Sequence, residues 1–496
     1  MKRIMKVMTS KRTSIFLLVF ISFFLKACTL SNPVDISTMP AISEATVPDK
    51  QETMSAIQNG FWITNKDWGE QENLASVHNE IVEKTKTHSL TPMLPEILEF
   101  KDWVTSDNKY FELVNSMINE SNQYAGSIDK STKQEWQRNG GSEPWIDDYD
   151  SFFQTLNEII TTTPSFSEAI MVSCPLNAFL AIAMGTKSGL ILFHDETFNQ
   201  QIKKVLDTWN AYLDSEASLD KLDIDNPEKE GSWISKAAWK AGVWDQIEHN
   251  KNLPGYGYNS WNSFFTRRFI PDARPFQGEP DNDINIGCET TPWLYKNNLE
   301  MESQFSIKAT NYSLLDLFGG QAHWAKIFEG GQLYQGYLSG EHYHRWHAPV
   351  DGKLVSSWLQ PGTYYAQSPA QLQGIDTWFG LETQPYLGHV ATRAIFIFKH
   401  EIFGYIGLIN VGMMEVSTCH IEPNMLVKDG DQSIDVKRGT EIGHFEYGGS
   451  SHILVFQKGK VQLKDWALNP QKNLQDDQLI KLGSVIGSAL KNNTGK

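Results

Sequence analysis

Three histidines stand close together in the segment EHYHRWHAPVDGKL, at His342, His344 and His347. On a strand, His342 and His344 would lie on the same face, because strand side chains alternate with a period of two. Imidazole binds zinc, copper and iron, and it titrates near neutral pH, as a general acid or base must. The segment alone leaves three interpretations open: a metal centre, acid–base catalysis, or polar residues at a strand end.

A second candidate for chemistry is the tetrapeptide GGSS within FEYGGSSHILVF, residues 445–456. The hydroxyl of Ser450 could attack the carbonyl of Gly449, because glycine has no side chain to obstruct the approach. The resulting ester can be broken by β-elimination, and hydrolysis of the dehydroalanine leaves a pyruvoyl group. These steps require a base and a tightly held turn. A plain turn between two strands would explain the same residues, so the motif needs support from elsewhere in the chain.

That support comes from the order of several motifs. YHRWHAPVDGKL and GTEIGHFEYGGSSHILVF, about 100 residues apart, resemble two signature segments of the phosphatidylserine decarboxylase family. Three more segments are similar to motifs of the same family: SWNSFFTRRFIPDARPF (260–276), YSLLDLFGG (312–320) and IGLINVGMMEVSTCHI (406–421). The resemblance covers residues 255 to 485 approximately. It implies a self-cleaved chain whose pyruvoyl group forms a Schiff base with a primary amine and accepts electrons during decarboxylation.

The resemblance assigns roles residue by residue. The cut would fall between Gly449 and Ser450, so that Ser450 becomes the pyruvoyl cofactor at the start of a small chain. His347 matches the base that activates Ser450, and His344 matches the histidine that acts in decarboxylation and protonation. No metal is implied.

The resemblance identifies the carboxylate that would orient His347 less directly. The family places an Asp in an upstream segment that here reads GCETTPW, with Glu289 in its position. Either acid can hold an imidazole tautomer and stabilise imidazolium, but the extra methylene of Glu289 shifts the carboxylate, and Asp351 is the alternative. Gly448 and Ser451 also depart from the family pattern, which has Leu and Thr there; Ser451 still offers a hydroxyl to the cleavage intermediates.

The surrounding sequence predicts two kinds of structure. Apolar residues recur at helical spacing before residue 235, which indicates amphipathic helices with one buried face. The three apolar stripes are Tyr110, Leu113, Val114, Met117 and Ile118; Phe152, Leu156, Ile159 and Ile160; and Ile202, Val205, Leu206, Trp209 and Leu213. After about residue 255, glycine-rich turns separate short β-branched and aromatic runs, which is typical of strands. The predicted fold class is α+β: a helical N-terminal domain followed by a predominantly β catalytic domain of phosphatidylserine decarboxylase type.

The chain has 496 residues and a formal charge of −16, which disfavours nucleic acid as a partner. We predict a signal peptide or lipoprotein signal at 1–28, a polar tether at 29–85, the helical domain at 86–235 and the decarboxylase domain at 250–490. The helical domain resembles one that precedes the decarboxylase in a branch of the family with GGSS-like cleavage sites. That branch includes soluble decarboxylases of free aromatic amino acids such as tryptophan.

The first residues predict an exported protein. A basic start, the apolar run TSIFLLVFISFFL and the sequence KACTLSNP follow the order of a secretory signal. Because LKAC resembles a lipobox, Cys28 is a candidate for lipidation, although Lys26 departs from the usual small residue; an uncleaved membrane anchor is the alternative. The expected location is therefore periplasmic or membrane-anchored.

The predicted function is a pyruvoyl-dependent carboxy-lyase made of a large and a small chain from one precursor. Its substrate would carry a primary amine and a carboxylate. Phosphatidylserine and a free aromatic amino acid both remain open. Two other hypotheses make different predictions: a metal-dependent enzyme that uses His342, His344 and His347 requires bound metal and no cleavage, and a non-catalytic exported lipoprotein would keep Ser450 intact.

Overall fold

The computed structural model describes residues 92–127, 148–166, 175–302, 312–338, 340–366, 384–413, 418–448, 450–470 and 479–490. The predicted signal and the predicted tether, up to residue 85, lie outside the described residues, as do Gly449 and Cys28. Among the helices that are described, none combines the length and apolar character needed to cross a membrane.

The N-terminal half of the described chain is helical. Its α-helices are α1 (Pro95–Ser106), α2 (Asn108–Ser127), α3 (Tyr149–Ile159), α4 (Pro175–Gly185), α5 (Lys187–His194), α6 (Glu196–Leu213) and α7 (Lys236–Lys240), with a 3₁₀ turn at Glu216–Leu222. Side-chain caps fix where two of them begin: the carboxylate of Asp148 accepts a hydrogen bond from the Ser151 amide, and that of Asp195 accepts one from the Phe198 amide. The apolar stripe predicted from Ile202 to Leu213 is the buried face of α6.

The C-terminal half is built mainly from strands. They are β1 (Asp283–Asn285), β2 (Thr291–Asn297), β3 (Gln332–Leu338), β4 (Arg345–His347), β5 (Gly352–Gln360), β6 (Arg393–His400), β7 (Gly404–Gly412), β8 (Cys419–Ile421), β9 (Ile434–Val436), β10 (Glu441–Phe445), β11 (Ser450–Phe456), β12 (Val461–Leu463) and β13 (Val485–Ala489). Short helices accompany them: α8 (Trp261–Phe265), α9 (Leu314–Leu317), α10 (Ala322–Phe328), α11 (Gln384–Val390) and α12 (Asp465–Leu468). The predicted α+β fold class is confirmed.

The largest sheet is antiparallel and has the strand order β2-β3-β11-β7-β6-β5-β9. Strand β11 lies inside it, paired with β3 on one side and β7 on the other along its whole length. Two three-stranded sheets have the orders β4-β10-β8 and β1-β13-β12. Because β10 ends at Phe445 and β11 begins at Ser450, a short connection passes the chain from a small sheet into the interior of the large one.

The two faces of β11 contact different hydrophobic cores. Ile453 and Val455 pack into a core that continues into the helical half, whereas Leu454 and Phe456 pack into a second core within the β half. The first core includes residues from α1 to β11. The helical and β halves, which the sequence predicts as separate domains, therefore share one continuous core in this structure.

Candidate active site

Ser450 is the first residue of β11 and is completely buried. Its backbone lies between Leu338 of β3 and Gly412 of β7. Its Oγ has no hydrogen-bond partner among the described residues, which is unusual because buried hydroxyls are nearly always paired. Gly448, two residues earlier, has a φ of 131°, a conformation that L side chains rarely adopt. The turn before Ser450 therefore depends on glycine, and it delivers an unpaired hydroxyl into the interior.

Ser451 points to the opposite face of the strand. Its Oγ accepts a hydrogen bond of 3.0 Å from Nε2 of Gln335, and Oε1 of Gln335 accepts one from the hydroxyl of Tyr312. All three side chains are buried. The two serines of the GGSS motif thus occupy different environments: Ser451 belongs to a polar chain, and Ser450 does not.

His344 is buried just before β4. Its ring stacks on that of Phe265 with centroids 4.0 Å apart, and its carbonyl accepts a hydrogen bond of 2.9 Å from the amide of Phe445, at the end of β10. Neither ring nitrogen makes a well-formed hydrogen bond to a described residue. Burial, followed by the charge of Arg267, holds the pKa of His344 well below its usual value, so the ring is neutral.

Arg267 holds the loop that carries His344, a role that the sequence did not indicate. It is fully buried and donates hydrogen bonds to the carbonyls of Glu341 and His342. Its position within the FFTRRF segment was the only available signal. Because a buried guanidinium needs several acceptors, Arg267 rigidly joins the end of α8 to the segment before β4.

His347 is engaged at both ring nitrogens. Its Nδ1 donates to the carbonyl of Gly439 at 2.8 Å, which leaves Nε2 to accept from the hydroxyl of Tyr343 at 3.0 Å. The backbone amide of His347 donates to the carbonyl of Gly287. Burial lowers the pKa of His347, so this imidazole is neutral too. No hydrogen bond joins the Oγ of Ser450 to His344 or His347 among the described residues.

The predicted carboxylate partner of His347 is not found at its ring. Glu289 is buried and binds Nε of Arg274 at 2.6 Å, and Asp351 binds Nζ of Lys437 and the amide of Arg438. The prediction that either acid contacts His347 is wrong in this structure. The reason is local: a backbone carbonyl already occupies Nδ1, and each carboxylate has a nearer cation or amide.

Glu289 nevertheless reaches His347 indirectly. The guanidinium of Arg274 lies 4.0 Å from the centre of the Phe269 ring, and Phe269 stacks on Tyr343 with centroids 4.2 Å apart. Tyr343 then hydrogen-bonds His347. This series of contacts makes Glu289 part of the support for the histidine and not its direct partner.

The ligand atoms of His342, His344 and His347 do not come together in one group in the structure. In the parts of the chain that are described, groups of three close ligand atoms occur only around His444, with His420 and Glu446 or with Glu422 and Glu441. His344 and His347 have the separate contacts given above, and His342 lies beside Glu341. The geometry therefore does not support the metal-dependent hypothesis for His342, His344 and His347.

The helical half reaches the residues that precede Ser450. The amide of Asn210, on α6, donates to a carboxylate oxygen of Glu446, and Trp209 packs edge-to-face on Tyr447 with centroids 5.3 Å apart. Glu446 also binds Nε2 of His420 at 2.9 Å. The connection between β10 and β11 is therefore held from both halves of the molecule.

A further residue that the sequence analysis did not single out is His452, fully buried on β11. Its Nδ1 lies 2.7 Å from Oδ1 of Asn410 on β7. A histidine inside the otherwise apolar run HILVF was the available signal. Its position, two residues after Ser450, places it in the same region of the sheet.

Comparisons with known proteins agree with this geometry. A family model described as phosphatidylserine decarboxylase matches residues 261–488, and a second model with that description matches residues 94–241. A decarboxylase named iboD from Amanita muscaria is 34% identical over 302 residues, which are 57% of this chain and 83% of that protein. A phosphatidylserine decarboxylase proenzyme from Coxiella burnetii is 31% identical over 47% of this chain and 78% of its own length.

One relative is similar to this chain over both the helical half and the β half. An L-tryptophan decarboxylase from Psilocybe cubensis is 27% identical over 444 residues, which are 85% of this chain and 94% of that protein. The fold, the site and these relatives define a carboxy-lyase. The chain belongs to the phosphatidylserine decarboxylase family, and it is a decarboxylase.

Proposed function

We propose that this decarboxylase cuts itself between Gly449 and Ser450 and uses a pyruvoyl group derived from Ser450. The observation that carries the proposal is the buried, unpaired Oγ of Ser450 directly after a glycine turn. Attack by Oγ on the Gly449 carbonyl carbon forms a C–O bond and breaks the C–N bond, and the amine keeps the proton that the hydroxyl lost. Elimination then removes the Cα proton and breaks the Cβ–Oγ bond, releasing the Gly449 carboxylate; water converts the remaining enamine to a ketone and ammonia.

The surroundings of Ser450 suit a small ketone in this position. The neighbouring residue on β7 is Gly412, which adds no side chain, and Leu338 on β3 covers the other flank. When present, a pyruvoyl ketone binds a primary amine covalently and draws electrons from the bond to the carboxylate. The chain's own contribution is a strand paired on both sides, which fixes the position of residue 450.

His344 and His347 supply neutral imidazoles near the β4–β10 sheet that leads to Ser450. Neither ring nitrogen of His344 makes a well-formed hydrogen bond to a described residue, so the ring is available to exchange a proton with the substrate during decarboxylation. His347 is fixed by Gly439 and Tyr343. We assign His344 to proton transfer with the substrate and His347 to the self-cleavage step, with Glu289 and Ser451 in supporting roles.

We propose a free aromatic amino acid as the substrate. The similarity to the L-tryptophan decarboxylase of Psilocybe cubensis covers both halves of this chain, whereas that to the phosphatidylserine decarboxylase of Coxiella burnetii covers 47% of it. The helical half also adds Trp209 to the aromatic residues around the turn. Phosphatidylserine remains the substrate to test beside it.

We also propose that the protein is exported, because its first residues follow the order of a secretory signal. The basic start, the apolar run and Cys28 suit either a cleaved signal or a membrane attachment. Mass spectrometry of the N-terminal peptide from the native host distinguishes these forms: a lipid on Cys28, a shortened unmodified terminus, or an intact residue 1. An intact terminus in a soluble fraction would contradict export.

Intact-mass spectrometry under denaturing conditions tests the proposed chemistry. The wild type should give two chains, the smaller with a pyruvoyl cap in place of Ser450, and Ser450→Ala should give one. Ser357→Ala, which removes another buried strand serine of the same sheet, is the matched control and should be cleaved. A single full-length chain in the wild type would overturn self-processing. Release of CO2 from tryptophan, and not from phosphatidylserine vesicles, would support the substrate assignment; the reverse result would overturn it.

A further inference from the structure

We propose that His420, His444 and Glu446 form a zinc site beside the connection that leads from β10 to β11. The proposed decarboxylase reaction assigns no role to any of these three side chains. The binding of zinc is independent of that reaction, and only the effect of zinc on self-cleavage rests on the proposed function.

The small sheet β4-β10-β8 places the three side chains on one face. His420 of β8 lies directly opposite His444 of β10 in the antiparallel register, and the side chains of such a pair stand close together. Glu446 follows His444 by two residues, and its amide donates to the carbonyl of Thr418, so the pairing with the β8 segment continues through it. Because residues two apart on a strand point to one face, Glu446 lies beside the two imidazoles.

The donor atoms are close enough to share one ion. A ligand atom from each of the three residues lies within 4.8 Å of those of the other two, and Nε2 of His420 is 2.9 Å from Oε1 of Glu446. Bonds of about 2.0 to 2.2 Å to zinc set tetrahedral ligand atoms about 3.4 Å apart. The half-exposed side chain of His420 has room for the rotation that closes the remaining gap of about 1 Å.

Two further contacts hold the ligands as zinc sites commonly require. While Oε1 of Glu446 faces His420, its Oε2 accepts a hydrogen bond from the side-chain amide of Asn210. Nδ1 of His444 is buried, has no hydrogen-bond partner among the described residues, and lies 3.9 Å from a carboxylate oxygen of Glu422. A hydrogen-bonded carboxylate, and a histidine that turns one nitrogen towards an acid, are typical of zinc ligands. An ion pair between His420 and Glu446 alone would leave the adjacent imidazole of His444 unexplained.

A second group of close ligand atoms contains Glu422, Glu441 and His444, but one of its acids is already engaged. Glu441 forms ion pairs with Arg268 and Arg345, which neutralise its charge. The first group offers two imidazoles and one carboxylate. This donor set favours zinc and related transition metals over magnesium and calcium, which prefer oxygen ligands.

Isothermal titration calorimetry tests binding, with protein that is purified without a polyhistidine tag and stripped by a chelator. The wild type should bind one zinc ion with a Kd of about 1 μM or lower and should not bind calcium. His420→Ala should lose the site, and Asn210→Ala should weaken it about 10-fold. His323→Ala is the matched control, because His323 also lies beside an acid, 2.8 Å from Asp429, and it should bind zinc as the wild type does.

Circular dichroism identifies which variants are folded, and Glu446→Gln provides a second ligand variant, which should also lose the site. The absence of zinc binding in the wild type would overturn the proposal. So would a wild-type Kd in folded His420→Ala or in folded Glu446→Gln, because the zinc would then be bound elsewhere.

Zinc should also accelerate self-cleavage, because an ion held by Glu446 fastens the chain to β8 three residues before Gly449. The test is a time course of chain cleavage after cell-free translation of the full chain, read on denaturing gels and by intact mass. Zinc or a zinc-selective chelator is added once translation has been stopped. The chelator should slow cleavage of the wild type about 10-fold and should not change the rate of His420→Ala.

The two measurements separate the possible failures. If the wild type binds zinc but is cleaved at the same rate with zinc and with the chelator, the effect on the connection is refuted. An uncleaved wild type would instead refute the proposed self-processing, and the zinc titration would still decide whether His420, His444 and Glu446 bind metal.

Discussion

Glu289 and Arg274 form a buried ion pair at the edge of the site. The side chains are 5% and 7% exposed, and the pair is joined at 2.6 Å. Removing one partner of such a pair leaves an uncompensated charge in the interior, whereas replacing both can be nearly neutral. Glu289 therefore supports His347 without contacting it. Its carboxylate neutralises the guanidinium of Arg274, which packs on Phe269.

Substitution of Glu289 by Gln should lower the free energy of unfolding by about 3 kcal/mol and slow self-cleavage, because Arg274 would withdraw from Phe269 and loosen Tyr343. Urea denaturation in the uncleaved Ser450→Ala background measures the first effect, and the cleavage time course measures the second.

The double variant Glu289→Gln with Arg274→Gln is the matched control, since it removes both charges. It should recover most of the lost stability. If Glu289→Gln abolished cleavage with no loss of stability, and the double variant did not recover it, the carboxylate would be acting directly on the reaction and the indirect role argued here would be wrong.

The sequence predicted candidate site residues but not their partners in the structure. Ser450, His344 and His347 were predicted because their spacing matched family motifs. The acceptor at Nδ1 of His347 is the carbonyl of Gly439, 92 positions away, and a backbone carbonyl leaves no trace in side-chain identity. Arg267 and His452 were missed because burial, which makes their polar groups significant, becomes known only once the sheet is assembled.

At the level of elements, helix α6 contacts the connection that leads from β10 to β11. Asn210 donates to Glu446 and also accepts from the amide of Asn262, at the start of α8. These contacts place the helical half against Glu446 and Tyr447, shortly before Ser450. The connection at which we propose cleavage is thus contacted by residues of the helical half.

Asn210→Ala should slow self-cleavage about 10- to 150-fold, as expected for the loss of about 1.5 to 3 kcal/mol from a hydrogen bond to a charged group. Thr208→Ala is the matched control on the same helix, because the one hydrogen bond of its hydroxyl to a described residue goes to the carbonyl of Lys204. Both rates come from the cleavage time course. Equal rates in the two variants would show that the helical half does not support the turn.

Helices were more predictable than the sheet. The stripe from Ile202 to Leu213 follows a local period of 3.6 residues, and the structure buries it as predicted. The order β3-β11-β7 joins segments about 40 to 120 residues apart, and pairing at such distances depends on tertiary packing that no local pattern encodes. The sequence also indicated a turn at GGSS, but β11 already begins at Ser450.

At the scale of the whole molecule, the interior contains several buried histidines. His344 and His452 are fully buried, and His389 of α11 is nearly so, with its Nε2 accepting from the amide of Ser313 at 3.1 Å. Burial lowers the pKa of His389 and that of His452 to about 3 each, and it lowers that of His344 well below its usual range. The folded chain therefore holds these histidines neutral where an unfolded chain would protonate them at about pH 6.5.

This difference makes the fold sensitive to mild acid. A histidine whose pKa is depressed on folding contributes fully above about pH 6.5, and the contribution falls as pH decreases towards the folded pKa, because only the unfolded chain takes up the proton. Between about pH 7 and about pH 5, each of these histidines should remove about 2 kcal/mol from the free energy of unfolding. Urea denaturation of the Ser450→Ala chain at the two pH values measures the loss. His389→Gln should reduce that loss by about 2 kcal/mol, even if it starts from a lower stability; the same loss in both chains would mean that His389 is protonated in the folded protein.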